Sequence, residues 1–359
     1  MKTKNWSKTT RYNFVTYAIV IFAYLAMELM SSFGVLSNSL RGQLVPICTY
    51  IILAISLNLT VGVLGELSLG HAGFMSVGAF AGAFFSVCTE QIIPIAWLRF
   101  PLALLIGGIA AGVVGIIIGI PVLRLQGDYL AIVTLAFGEI IKNLFNSFYV
   151  GIDAGGAHFS LTDVASLGMA PEGKVIINGA MGITGTPKNA TFTIGFVLVL
   201  MTLFIVLNLM KSRAGRAIMS IRDNRIAAES VGINITKYKM LAFSLSAALA
   251  GVAGVLYAHN FSTLVAKKFD YNTSILILVF VVVGGMGNMR GSMIAAAALT
   301  VLPEMLRGLN DYRMLIYAII LIGMMIFNQN PKMIEWRKKM RSKMPTFVWK
   351  PAKAKKEEK

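Results

Sequence analysis

The sequence predicts an all-α polytopic membrane protein of about ten transmembrane helices, some of them short or interrupted. Three observations carry this. Of 359 residues, 56% are hydrophobic and 14% charged, with a mean hydropathy of +0.72, far from the balance of a water-soluble domain. The apolar residues fall in separate runs long enough to approach a hydrocarbon core of about 30 Å at about 1.5 Å per helical residue. The basic residues behind the formal charge of +17 collect at the two ends and in a few short loops. That distribution belongs to membrane topology rather than to a nucleic-acid-binding surface.

In chain order, a basic N-terminus (residues 1–13) precedes an apolar run from Phe14 to Met30. The run is longer than a signal-peptide core and no A-x-A site follows, so it reads as a retained anchor. Further spans fall near 44–61, 69–88, 102–121, 129–149, 192–209, 239–258, 273–285, 291–306 and 312–327, giving a transmembrane domain over 14–327. The positive-inside rule puts both termini inside, the long loop 151–190 outside, and the basic loop 211–238 and the tail 328–359 inside. The tail carries Lys332, Arg337, Lys338, Lys339, Arg341 and Lys343 beside Trp336, a composition attracted to anionic lipid.

The chemistry of an enzyme is not visible. Cys48 and Cys88 lie in apolar runs and imply no disulfide framework, while His71, His158 and His259 are too dispersed for a metal cluster. Gly168 to Lys174 has the G-x4-G-K spacing of a phosphate loop, but Val175 stands where magnesium needs Ser or Thr. A non-catalytic protein with no metal and no cofactor of its own is expected, drawing its energy from another chain.

The long polar break from Lys211 to Lys239 contains a short helix. Asp223 or Asn224 can cap its start and Gly232 can end it in a left-handed turn. Between them, Arg225 to Val231 form about two turns, with Ile226, Ala227 and Val231 as an apolar stripe and Arg225 and Glu229 one turn apart. So short a helix is marginal alone and needs a docking surface. Two surfaces are open to it, the lipid face and a soluble partner below the membrane.

Small residues four apart, Gly108/Gly112 and Gly115/Gly119 in one span and Ala247/Gly251 and Ala250/Gly254 in another, mark seams where helix backbones approach closely. Two further stretches, Val61–Leu67 (VGVLGEL) and Val283–Met289 (VGGMGNM), share a pattern of Val-Gly, an apolar residue and Gly-polar-apolar. Interrupted helices at matching places in two halves point to a translocation site, although a seven-residue match also arises between unrelated glycine bends. Polar groups inside spans are functional candidates by default. Asn58, Glu66, Ser68 and His71 flank the first break, as path-lining groups or as helix–helix hydrogen bonds. Glu139 and Lys142 stand one turn apart near mid-depth of their span, either as an internal ion pair or as path-lining charges.

Four stretches carry a family resemblance. LNLTVGVLGELSLGHAGFMSVGAFAGA (57–83) resembles the signature of branched-chain amino-acid ABC importer permeases. RLQGDYLAIVTLAFGEIIK (124–142) is similar to the segment that marks the M-type subunit of that pair. SRAGRAIMSIRDNRIAAESVGINITKYKMLAFSLSAALAGVAGVLYA (212–258) and VVGGMGNMRGSMIAAAAL (282–299) resemble its cytoplasmic loop with the following helix and its late glycine turn. The resemblance implies an ABC importer permease fold in a bacterial inner membrane. It further implies half of a path for branched-chain amino acids, worked with a second homologous permease, two cytoplasmic ATP-binding subunits and an external binding protein. Glu66 in place of the usual Gln, Lys142 in place of Arg, Met181 in place of Asn, a longer outer loop and an extended tail depart from the pattern. The same machinery could carry urea, other amino acids or sugars, and an ion-coupled carrier using Glu139 would share the helical architecture.

Overall fold

The structure, a computed structural model, describes residues 8–329 apart from 35–36, 91, 126, 154, 170–172, 307 and 309–311. The basic stretch of the tail and the first seven residues lie outside the described residues. Each of the ten apolar segments lies on a helix. These are α1 (Lys8–Ser32), α2 (Asn38–Asn58), α3 (His71–Cys88), α4 (Ala96–Val122), α5 (Asp128–Asn146) and α6 (Phe192–Lys211), then α9 (Ile235–Ala258), α10 (Tyr271–Gly284), α11 (Met289–Met305) and α12 (Arg313–Gln329). The loop between α6 and α9 holds α7 (Arg213–Asp223) and α8 (Arg225–Ser230). Six of these helices are long and apolar enough to cross a membrane: α1, α2 with its continuation to Leu64, α3, α4, α6 and α9. The other four of the ten are shorter or more polar, so among the described residues length and hydropathy support six spans and do not confirm about ten. The chain divides into a unit from Met1 to Arg313 and a second from Met314 onwards, which holds most of α12.

The expectation of an all-α chain needs correction. The loop predicted at 151–190 carries most of a five-stranded antiparallel sheet in the order β2 (Gly156–Ser160), β1 (Tyr149–Asp153), β3 (Lys174–Asn178), β4 (Ile183–Thr184) and β5 (Thr263–Leu264). A loop of this length has backbone polar groups that must be paired, and the sheet pairs them. Val150, Ile177, Ile183 and Leu264, one from each of four strands, sit side by side in register and are buried. The β-branched run KVIIN (174–178) was the available signal for β3. Because a strand, not a helix, follows Gly173, the phosphate-loop spacing there lacks the helix start that would receive a phosphate.

The centre of the bundle is the contact of α3, α4 and α9. There the small residues do what their spacing predicts. A Cβ built on Gly115 would lie 2.6 Å from Ala247 Cβ, and one on Gly112 3.3 Å from Ala248 Cβ. One close approach joins glycines of three helices: a Cβ on Gly78 would lie 2.3 Å from Gly251 Cα, and one on Gly107 2.7 Å from the Gly78 carbonyl oxygen. Lipid offers no hydrophobic drive between spans, so backbone proximity and dispersion hold this junction together.

Candidate functional site: the paired glycine turns and the α7–α8 hairpin

The helix that begins as α2 ends in a π-helical turn, Leu59–Leu64, all six residues of which are buried. Such turns insert an extra residue per hydrogen-bonded ring and often mark functional positions. Gly65 then stops the helix in the left-handed region at φ +81°. Gly287 occupies the matching position of the second motif at φ +79°, a conformation costly for any residue with a Cβ. The two motifs therefore share geometry as well as sequence, and they touch. A Cβ on Gly62 would lie 2.1 Å from Gly287 N and 1.9 Å from Asn58 Oδ1.

Asn58 joins the two turns. Fully buried, it accepts from Gly287 N–H at 2.7 Å through Oδ1 and donates to Ser292 Oγ of α11 at 2.8 Å through Nδ2. Backbone freed at a break inside a bundle must find partners, and at this one Gly65 and Glu66 N–H turn back to the Thr60 carbonyl oxygen, while neighbouring helices supply others. Leu69 N–H donates to Thr134 Oγ1 of α5, and Ala72 N–H, at the start of α3, to Ser274 Oγ of α10, both at 3.0 Å. His71 is buried and shares a 2.7 Å hydrogen bond with Ser56 Oγ through Nε2. Ser68 is buried too, and its Oγ has no partner among the described residues. Glu66 forms an ion pair with Lys239 of α9, their side chains 15% and 4% exposed.

Glu139 and Lys142 do pair with each other, as one of the two readings held. Glu139 also accepts from the backbone N–H of Tyr271, the first residue of α10, at 2.9 Å, while Gly138 beside it packs on Gly70 of the break. Beside it, Asp270 caps α10 by accepting from Thr273 N–H at 2.9 Å. Burial pushes the Asp270 carboxyl up, but the hydrogen bonds from Thr273 and Asn272 and the charge of Lys142 outweigh this and hold it below the ordinary carboxylate value.

The polar loop contains two helices where the sequence suggested one. Ser212 caps α7 by accepting from Gly215 N–H at 3.1 Å, and Asn224 caps α8 by accepting from Ala227 N–H at 3.0 Å. Gly232, at φ +83°, closes α8 with a bond from its N–H to Glu229 O at 2.9 Å, and Ile233 N–H reaches Ala228 O at 3.1 Å, the crossed pattern of a left-handed helix stop. The face of α8 that packs on its own chain differs from the expected stripe. Ala228 is buried with Ile221 and Ile235, whereas Ile226 and Val231 are 82% and 75% exposed and Arg225, Ala227 and Glu229 are exposed as well. Six residues are too few for periodicity to choose a face, and the paths of α7 and α9 choose it instead. Sequence reasoning also missed Arg222. This last-turn residue of α7 donates from Nη1 to the Gly62 carbonyl oxygen at 3.0 Å.

A helical bundle with interrupted, paired turns and a capped polar hairpin between spans defines a membrane permease architecture. The family model described as "Branched-chain amino acid transport system / permease component" matches residues 39–327, and the chain belongs to this family. It is similar to the high-affinity branched-chain amino acid transport system permease proteins LivM of Escherichia coli, at 35% identity over 294 residues, and of Salmonella typhimurium, at 34% over 287. Each match covers 77% of this chain and 66% of the relative, so the chain spans just under two thirds of the length of these two proteins. The probable branched-chain amino acid transport permease protein LivM of Methanocaldococcus jannaschii is 24% identical over 273 residues, 67% of this chain and 74% of that one. No solved structure matches. With its several apolar helices, the chain is a multi-pass membrane protein.

Proposed function

We propose that the chain is the M-type permease subunit of an ATP-binding-cassette importer, forming half of a path for branched-chain amino acids. It would work with a second homologous permease, two cytoplasmic ATP-binding subunits and an external binding protein. In this reading the protein sits in a bacterial inner membrane with ten spans. Both termini and the α7–α8 hairpin are cytoplasmic, and the β-sheet loop is outside. Asn58, Glu66, Ser68 and His71 lie at the path beside the paired turns. Glu139 and Lys142 act as a structural ion pair near the start of α10.

The observation that carries the proposal is α8. A loop cannot transmit force, but a short helix capped at both ends can. α8 rests on its own chain through Ala228 and leaves Ile226 and Val231 exposed. Those two side chains, with Ala227, are the surface an ATP-binding subunit would cover, and Arg225 and Glu229 flank it with charge.

The test is uptake by the assembled complex in proteoliposomes with ATP and ion gradients imposed separately. Uptake is expected with ATP alone. Ile226→Asp should lower it by about tenfold or more by placing a charge in the covered face, with substrate binding to the external receptor unchanged. Uptake driven by a gradient without ATP, or full transport by Ile226→Asp, sinks the proposal. Orientation is checked separately. In a variant lacking Cys48 and Cys88, the cysteine of Asn224→Cys should react with an impermeant thiol reagent from the cytoplasmic side only, and labelling from outside reverses the topology.

A further inference from the structure

Residues on either side of α8 grip the same short segment. Arg222 lies in the last turn of α7, two residues before the Asn224 cap of α8. Its Nη1 holds the Gly62 carbonyl oxygen, and its Nε and Nη2 donate to Asp223 Oδ1 at 3.0 and 2.8 Å, which fixes the plane of the guanidinium. Its aliphatic stem lies on Gly65, where an added Cβ would come within 2.6 Å of Arg222 Cγ. Seven residues beyond Gly232, Lys239 in the opening turns of α9 pairs with Glu66, the next residue after Gly65. One hand therefore holds the π turn and the other holds its exit.

Gly62 sits near the end of the turn, where helical carbonyls run out of intrahelical partners. It is buried, and Arg222 meets its carbonyl with a charged donor, the stronger class of hydrogen bond. Gly62 in turn lies against Gly287 and Asn58, and Asn58 binds Gly287 and Ser292. A displacement of the hairpin thus has a bonded route to both interrupted turns that bypasses the length of every span.

We propose that Arg222 and Lys239 are positioning residues that couple α8 to the paired glycine turns, Arg222 through the Gly62 carbonyl and Lys239 through Glu66. The inference rests on reading α8 as the contact with the ATP-binding subunit. Because the two residues flank α8 on either side, movement of α8 pulls on both handles together.

The experiment compares uptake of radiolabelled leucine, delivered by its receptor, with phosphate release in the same proteoliposomes carrying the assembled importer. Arg222→Ala is expected to leave assembly and ATP hydrolysis within about twofold of the parent while uptake per ATP falls about tenfold, the size of one lost charge-assisted hydrogen bond. Arg222→Lys keeps one donor and should restore part of the ratio, which a purely structural role would not predict. An unchanged uptake per ATP in Arg222→Ala overturns the inference. A fall in uptake that merely follows a fall in assembled complex overturns it too. If Arg222→Ala is silent while Ile226→Asp uncouples, the inference fails and the proposed function stands. If both are silent, the reading of α8 fails first and takes this one with it.

Discussion

Gly251→Val and Gly254→Val are each expected to abolish recovery of folded protein. A Cβ at Gly254 would lie 2.0 Å from the Met75 carbonyl oxygen and 2.9 Å from Ala79 N, both backbone atoms of α3. One at Gly251 would lie 2.4 Å from Ala111 Cβ and 2.6 Å from the Gly107 carbonyl oxygen of α4. Overpacking costs about 1–3 kcal/mol when side chains can yield. Here mostly backbone must yield, and moving it parts α9 from α3 or α4 at the centre of the bundle. Against a total stability of about 5–15 kcal/mol, that loss is enough to prevent folding. The check is the fraction of detergent-extracted protein that elutes as a single species and melts cooperatively. Gly42→Ala is the matched control, because that glycine is exposed in α2 with nothing within 4 Å of an added Cβ. It should be neutral or raise stability by up to about 1 kcal/mol through helix propensity. Normal recovery of both valine variants would show that the seam is looser than its geometry.

This junction also shows what can be read from residues alone. The spacing of Gly108/Gly112, Gly115/Gly119, Ala247/Gly251 and Ala250/Gly254 announced a packing seam on each of two helices, because small residues four apart share one helix face whatever the partner. The same spacing stands in α3 as Gly78 and Gly82, but spacing alone could not say that this helix joins the same contact. The apolar helices were legible for a similar reason: hydropathy is local. The motif shared by Val61–Leu67 and Val283–Met289 proved to be two turns with left-handed glycines at the same position, and only the folded chain shows Gly62 seated on Gly287. What stayed hidden depends on contact over distance. The sheet needs β5, 79 residues beyond β4. Tertiary packing decided which side of α8 is buried. Lys239 read as the last basic residue of a polar loop, and nothing near it in sequence gave it a partner.

That partner makes removal of either charge of the Glu66–Lys239 pair the other severe change. Glu66 is 173 residues away and meets Lys239 in an ion pair between side chains 15% and 4% exposed. Removing one member of a buried pair strands the other charge, at a cost of about 3–5 kcal/mol, most of which is the desolvation of the charge left behind. The outcome should be asymmetric. Glu66→Gln leaves an ammonium at the more buried position, whereas Lys239→Gln leaves a carboxylate at the somewhat more open one, so Glu66→Gln should cost more. Gln at 66 is also the residue that the resemblance leads one to expect, and in this chain the Glu that replaces it pairs with Lys239. The double variant Glu66→Gln/Lys239→Gln should recover most of the loss, because two neutral side chains can still share a hydrogen bond. Thermal unfolding of the four proteins in detergent closes the cycle, and a coupling energy near zero would mean that the two charges do not depend on each other. If the double variant regains stability but not uptake per ATP, the pair does more than hold the fold: the ionic grip of Lys239 on Glu66 is then itself needed to carry the movement of α8 to the break.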